Sequence, residues 1–318
     1  MTKNRGLLIE EQINPKDYRF GLVTGLSTEV LNPSRNWSNW IPLYEPQSRT
    51  GWDSQSCVTF SALNCLEMLY FRQFGIERNF SDRFTAVASE TTTRGNYLSK
   101  VAETIRTVGL VDEQDYPFSD DIKDFWEFHK KPLPDELFIK ADKFLDQFKV
   151  GWEWAGASQA TIRAALQFSP LSVTVEVGNS VNNKGYYVNH DIIQYGHAIA
   201  LYAITDDHYK CYDHYTNKFK NYDILYNFGA VMRWSLENKK PMKNPLNLLN
   251  NTLVQCVEGK GEIGLYLDDK IIVDDLAKIL ATWIIRNNGA ISRVKAITLD
   301  NWNKYDKTNL KGEMIRES

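Results

Sequence analysis

Gly51-Trp-Asp-Ser-Gln-Ser-Cys57-Val-Thr-Phe-Ser-Ala-Leu-Asn-Cys65-Leu-Glu-Met-Leu-Tyr-Phe-Arg-Gln-Phe-Gly75 joins a polar loop to a long apolar run. From Val58 onward the run predicts a buried helix, apolar on nearly every side, with Gly75 as its C-cap. Gly51, Trp52, Asp53, Ser54 and Gln55 form the loop in front of it, and Cys57 stands where loop becomes helix. The first N–H groups of a helix have no partner within the helix, and the helix dipole is positive at that end. Both favour a thiolate there, and a lowered thiol pKa makes a better nucleophile near neutral pH. A lone cysteine is more often a packing residue, so position alone decides nothing.

Two further residues change the balance. His197 opens Tyr-Gly-His-Ala-Ile-Ala-Leu-Tyr-Ala and is followed at once by a strand pattern; the chain has only 5 His. Asp213 follows sixteen residues later (213 − 197 = 16), within Tyr-Lys-Cys-Tyr-Asp-His-Tyr. An adjacent strand brings its carboxylate to the imidazole if His197-Ala-Ile-Ala-Leu-Tyr-Ala-Ile204 and Tyr209-Lys-Cys-Tyr-Asp213 pair across the Asp206-Asp207 turn.

The surroundings are those of a globular protein. The chain has 318 residues, 43% of them apolar, and a net charge of −3, so it can bury a sizeable core in about two domains. No basic stripe points to nucleic acid, and no run approaches the ~18 apolar residues of a membrane span. Only Leu7-Leu8-Ile9 interrupts a polar N-terminus, which is too short for the apolar region of a signal peptide. Cys57, Cys65, Cys211 and Cys256 form no CxxC pair, so a structural zinc is not expected. Cys57 and Cys65 lie about 12 Å apart along one helix, too far for a disulfide. Four free thiols in a reducing setting are expected.

Residues 1–46 read as an extended, wrapping arm. Residues 97–108 are an amphipathic helix ended by Gly109, and Asp120 to Phe148 is charged and helical in pattern. From about residue 160 the pattern becomes β, as in Leu171-Ser-Val-Thr-Val-Glu-Val177. A helical half followed by a β half predicts an α+β fold of two lobes. Beyond the polar stretch after Trp234, Ile263–Leu267 and Lys270–Val273 read as a hairpin about Asp268-Asp269, with a helix at about Leu276 to Arg286.

Cys, His and Asp in that order, on a helical and then a β lobe, resemble the papain-like cysteine peptidases. Ser56-Cys57-Val-Thr-Phe-Ser-Ala resembles the family's nucleophile motif, Ser-Cys-Trp-Ala-Phe-Ser-Ala, and His197-Ala-Ile its His-Ala-Val. Tyr215 falls where papain has a Trp, and the interval of 16 matches papain, whose third residue is Asn. Gly95-Asn96 resembles the Gly-Gly that lines the substrate cleft, and Gly109 to Phe118 resembles the segment ending in Tyr-Pro-Tyr. In texture the chain is similar to bacteriophage-encoded members.

The resemblance implies a helical lobe over about 47–155, a β lobe over about 156–239 and an extra α/β segment at 240–318. It implies hydrolysis of peptide bonds, with Cys57 as nucleophile, His197 as acid and base, and Asp213 orienting the imidazole. Gly95, Asn96 and Gly196 line the substrate groove, and no metal or cofactor is needed. The family's oxyanion-donating Gln stands six before the nucleophile; position 51 is Gly, so Gln47, ten before, takes that part through an enlarged loop. Because papain has Asn at the third position, Asp213→Asn is expected to keep activity. The expected partner is a polypeptide substrate, with residues 240–318 a possible protein-docking element, no nucleic acid and no membrane. The expected location is the host cytoplasm or a virion. The alternatives are a virion protein that keeps the fold for structure or binding, and another Cys-His-Asp enzyme such as a transglutaminase or a cell-wall amidase or endopeptidase.

Overall fold

The computed structural model describes residues 6–9, 19–20, 26–178, 180–215 and 217–239, together with the backbone of five short strands between 252 and 308. The chain divides into two compact units, 1–239 and 240–318.

The first unit is built around helix α1, Cys57–Phe74, in which every residue from Cys57 to Leu69 is buried. A helix apolar all round must be covered all round. Its cover is the sheet on one side and, on the other, helices α2 (Asp82–Ala88) and α3 (Leu98–Val108). Gly75 ends α1 in the left-handed conformation (φ +69°), its N–H donating to the Phe71 carbonyl. A short α4 (Phe125–Phe128) and α5 (Asp135–Gln147) complete the helical half, and α6 (Gln159–Ala165) precedes the β half.

A hairpin of β1 (Ser48–Arg49) and β2 (Trp52–Asp53) precedes α1. The main sheet contains β3 (Phe148–Ala155), β4 (Leu171–Glu176), β5 (Tyr195–Ile204), β6 (His208–Tyr212), β7 (Phe219–Asp223) and β8 (Val231–Asn238). Its strand order is β3-β8-β4-β5-β6-β7, antiparallel throughout. Strand β4 is buried at all six positions, covered on both faces, so its alternation of polar and apolar residues does not mark a solvent side.

One boundary differs from the sequence expectation. Residues 148–155 fall within the stretch assigned to the helical lobe, yet they form β3. The strand follows α5 without a break and pairs residue by residue with β8, from Phe148↔Asn238 to Ala155↔Val231. Trp152 and Trp154 are buried in this ladder.

In the second unit the described strands are β9 (Thr252–Cys256), β10 (Ile263–Leu267), β11 (Lys270–Ile272), β12 (Lys295–Ile297) and β13 (Asp306–Thr308), in the order β12-β9-β10-β11-β13. Strands β10 and β11 pair as an antiparallel hairpin, Leu267 opposite Lys270. The helix expected at about 276–286 lies outside the described residues. Among the described residues no helix is long and apolar enough to cross a membrane.

Candidate active site

The site lies where the first turn of α1 meets β5 and the end of β6. Ser56 precedes the helix; its hydroxyl donates to the Ser54 carbonyl (3.0 Å) and does not cap α1. Cys57 is therefore presented at an uncapped helix start, fully buried. Its sulfur receives backbone hydrogen bonds from Ala198, the residue after His197, and from Val58.

His197 stands near the start of β5, opposite Val175, and the register between β4 and β5 shifts one residue further along, between Val175 and Glu176. Such a bulge bends the strand and re-aims its side chains. His197 Nε2 lies 2.8 Å from Asp213 Oδ1. An ionised carboxylate only accepts, so Nε2 carries the proton. Nδ1 is left buried without a hydrogen-bond partner among the described residues, the nitrogen available to a thiol. The Tyr215 ring lies against His197, ring centres 5.3 Å apart.

Asp213 directly follows β6 and is fully buried. Its Oδ1 also accepts the His214 N–H (2.7 Å), and its Oδ2 accepts from Lys220 Nζ (2.5 Å). Burial raises the carboxyl, but the His197 charge and hydrogen bond, then Lys220 and His214, outweigh it. Together they hold it well below the usual carboxylate range. Lys220 is invisible to motif reading. It reaches Asp213 because β7 pairs with β6 and sets Lys220 opposite Cys211. His214, the neighbouring histidine, packs on Phe60 and pairs through Nδ1 with the Asn64 amide (3.1 Å). Burial pushes it down to about 3, so it stays neutral.

Lys220 changes the expectation for Asp213→Asn. The Lys220 side chain is 10% exposed, and an amide leaves its charge unbalanced. Removing one partner of a buried ion pair costs about 3–5 kcal/mol. Asp213→Asn is therefore expected to unfold at a clearly lower temperature than wild type, and Asp213→Asn/Lys220→Met to recover most of that loss. Equal melting of Asp213→Asn and wild type rejects the coupling.

Cys57 corrects a second expectation. Burial pushes its thiol up, with Asp53 and Asp213 adding to the rise, and the two backbone hydrogen bonds oppose it only in part. The helix start does not yield a thiolate while the sulfur is covered. Cys65 and Cys211, also buried and free, are pushed up as well, chiefly by burial.

Gln47 is fully buried, with its N–H on the His214 carbonyl (3.1 Å) and its own carbonyl accepting from Ser54 N–H (3.3 Å). Its Nε2 donates to Asp53 Oδ1 (2.9 Å). The extra residues between Gln47 and Cys57 are taken up by the β1–β2 hairpin, turned at Gly51 (φ +90°).

The expected groove backbone is occupied by the chain itself. Gly6, Leu7 and Leu8 run parallel to Asn96: Leu8 N–H donates to the Asn96 carbonyl (2.8 Å), and Asn96 N–H to the Gly6 carbonyl (3.0 Å). A Cβ on Gly6 (φ +104°) would stand 2.2 Å from the Gln55 carbonyl oxygen, and one on Gly95 (φ +101°) 2.0 Å from Gly6. The Asn96 side chain is internal and donates to the Ser89 carbonyl (2.9 Å), Ser89 Oγ and Thr91 Oγ1. Gly196 lies buried in β5.

A group of carboxyls has no part in the expected chemistry. Glu45, Glu67, Asp82 and Glu113 are each raised by burial, and all but Glu45 are raised further by neighbouring carboxyls; the Phe80 and Phe118 N–H groups pull Glu67 and Glu113 back in part, leaving Glu113 at about 8. Arg49 and Arg83 pull Glu113 back only in part. Because their folded pKa values exceed the unfolded ones, these groups hold extra protons in the fold. Their contribution is complete below about pH 4.3 and is lost as pH rises through the folded values. His129 (pushed down to about 4) and His214 act oppositely, losing stability as pH falls below about 6.5. The melting temperature is expected to peak between about pH 5 and 6.5 and to fall by roughly 5 °C or more by pH 8.5. Glu113→Gln should flatten the alkaline limb; an unchanged limb rejects this cause.

No protein-family model matches the sequence, and no curated protein matches it. Solved structures do. Xylellain, a cysteine protease from Xylella fastidiosa, is similar with a TM-score of 0.57 at 13% identity, covering 75% of this chain and 97% of that one. Digestive procathepsin L 3 of the Tenebrio molitor larval midgut is similar with a TM-score of 0.51 at 14% identity, covering 73% of this chain and 76% of that one. The fold is that of the papain-like cysteine proteases.

Proposed function

We propose that the protein is a papain-like cysteine peptidase acting on polypeptides. The observation that carries the reading is the His197–Asp213 pair at 2.8 Å, whose other ring nitrogen has no partner among the described residues, with Cys57 held by the backbone of Ala198. A fold shared with proteases supports it.

In the proposed reaction Cys57 gives its proton to His197 Nδ1 and attacks the scissile carbonyl. His197 returns the proton to the leaving amine, and the acyl thioester remains on Cys57. Water, deprotonated by His197, then releases the acid and frees the thiol. Asp213 holds the ring in the tautomer with Nε2 protonated and balances the imidazolium. The Cys57 N–H and the Gln47 amide stabilise the oxyanion. No metal or organic cofactor enters these steps.

A second reading has two observations in its favour. The arm fills the backbone of Asn96, and the thiol is covered, as in a protein that keeps the fold for binding, for instance in a phage virion. Incubation with a peptidyl epoxide followed by mass spectrometry separates the two. One adduct on Cys57, together with cleavage of casein, supports the peptidase. No adduct and no cleavage, even after removal of the arm, leaves the binding protein.

A further inference from the structure

We infer that His214, which takes no part in the proposed steps, is a positioning residue: its neutral ring docks the loop carrying Asp213 onto the face of α1 that presents Cys57. The inference rests on the peptidase reading and adds to it the residue that joins the nucleophile's helix to the orienting carboxylate.

The docking face follows from helix geometry. Cys57, Phe60 and Asn64 recur along α1 at the spacing of one helical face. His214 meets the second and third of them. Its ring centre lies 5.1 Å from that of Phe60, and its Nδ1 lies 3.1 Å from Asn64 Nδ2. An amide nitrogen only donates, so Nδ1 accepts and the ring proton sits on Nε2. His214 is 1% exposed and Asn64 8%, so the contact is closed to water.

The main chain of His214 reaches the other members of the site. Its N–H donates to Asp213 Oδ1 (2.7 Å), the oxygen that also lies 2.8 Å from His197 Nε2. Its carbonyl accepts the Gln47 N–H (3.1 Å) and the Tyr44 hydroxyl (3.4 Å). The carboxylate that orients His197 is thus held by a residue whose ring is seated on the helix of Cys57. A shift of that ring moves Asp213, and with it His197, relative to the thiol.

The seat belongs to the neutral ring. A protonated Nδ1 would face the Asn64 amide donor against donor. The charged and titratable groups around the ring are Asp213 on its own loop, His197 on β5, Lys220 on β7 and the Tyr44 phenol, while α1 sets the uncharged Phe60 and Asn64 against it. Burial disfavours the imidazolium, Asp213 favours it, and His197 and Lys220 disfavour it again, so the ring is neutral wherever His197 can act as a base.

The test reads casein or peptide turnover together with iodoacetamide alkylation of Cys57 at pH 7 and at about pH 10, above the ordinary thiol range. At pH 7 alkylation depends on His197 to take the thiol proton; at the higher pH hydroxide can take it. His214→Ala is expected to lower kcat by about 10- to 10²-fold with KM within about two-fold, the loss that a small misplacement of catalytic groups brings. Its alkylation should slow at pH 7 in step with kcat and change little at the higher pH. His214→Asn should return most of both rates, because its Oδ1 takes the place of Nδ1 and accepts from Asn64. Asn64→Leu removes only the donor to Nδ1 and should show a loss of the same kind; it decides the matter if His214→Ala does not fold.

Unchanged turnover and unchanged pH 7 alkylation in His214→Ala and Asn64→Leu overturn the role. So does alkylation that falls equally at both pH values, because that marks altered access to the thiol. A wild-type chain that alkylates at pH 7 yet cleaves nothing overturns the peptidase reading, and alkylation of the variants then still decides the role of His214. A wild-type chain that cleaves, with His214→Ala turning over as fast, overturns the His214 role alone. A wild-type chain that neither cleaves nor alkylates at pH 7 overturns both.

Discussion

Cys57→Ala and His197→Ala are each expected to lower peptide turnover by at least about 10⁴-fold, and the double variant to be no worse than either. Groups that act as one unit give such non-additive losses, because removing either member disables the same step. Both variants should fold. Cys57→Ala removes one atom from the start of a helix whose other contacts remain. His197→Ala leaves Asp213 paired with Lys220 and the His214 N–H, so no buried carboxylate is stranded. The measurement is turnover with melting temperature as the control. His197→Ala should also label far more slowly with an epoxide at pH 7, because the thiol loses its proton acceptor. Should His197→Ala retain turnover within ten-fold of wild type, His197 is not the base.

The parts of this site that local pattern controls were legible in the sequence. Helix α1 announces itself by an apolar run and Gly75, and Cys57 by its place at the run's start. His197 and Asp213 were legible because a strand, a short turn and a second strand bring residues on the two strands face to face. Strand β3 was not legible. It continues directly from α5, and its identity depends on pairing with β8, some eighty residues later. Lys220 and Asp53 were missed for a related reason. Each meets its partner through register or a tertiary approach, Lys220 through the β6–β7 ladder and Asp53 through a two-residue hairpin. The direction of the thiol's shift is not legible, because a helix start can be read from sequence but what covers it cannot. Desolvation by burial, which only the fold reveals, opposes and outweighs the local donors.

The arm paired with Asn96 gives the other large expected effect. A chain lacking residues 1–9 should label at Cys57 with a peptidyl epoxide roughly 10²-fold faster than the full chain. Two backbone hydrogen bonds hold the arm to Asn96, worth about 1 kcal/mol each. Leu7, 3% exposed, adds about 2 kcal/mol by burial of its side chain. A total of about 4 kcal/mol corresponds to an occlusion between 10² and 10³, since each 1.4 kcal/mol is tenfold. A peptide that pairs with Asn96 must displace the arm first, because the same N–H and carbonyl serve both. Gly6→Val tests the same idea in a full-length chain. A side chain at φ +104° and 2.2 Å from the Gln55 carbonyl cannot be seated, so the arm should lift and labelling rise. Ile9→Ser is the control: Ile9 is 56% exposed, and its change should leave the rate near wild type. If deletion of 1–9 and Gly6→Val both label no faster than wild type, the arm does not limit access, and the burial of Cys57 must come from the walls of the site.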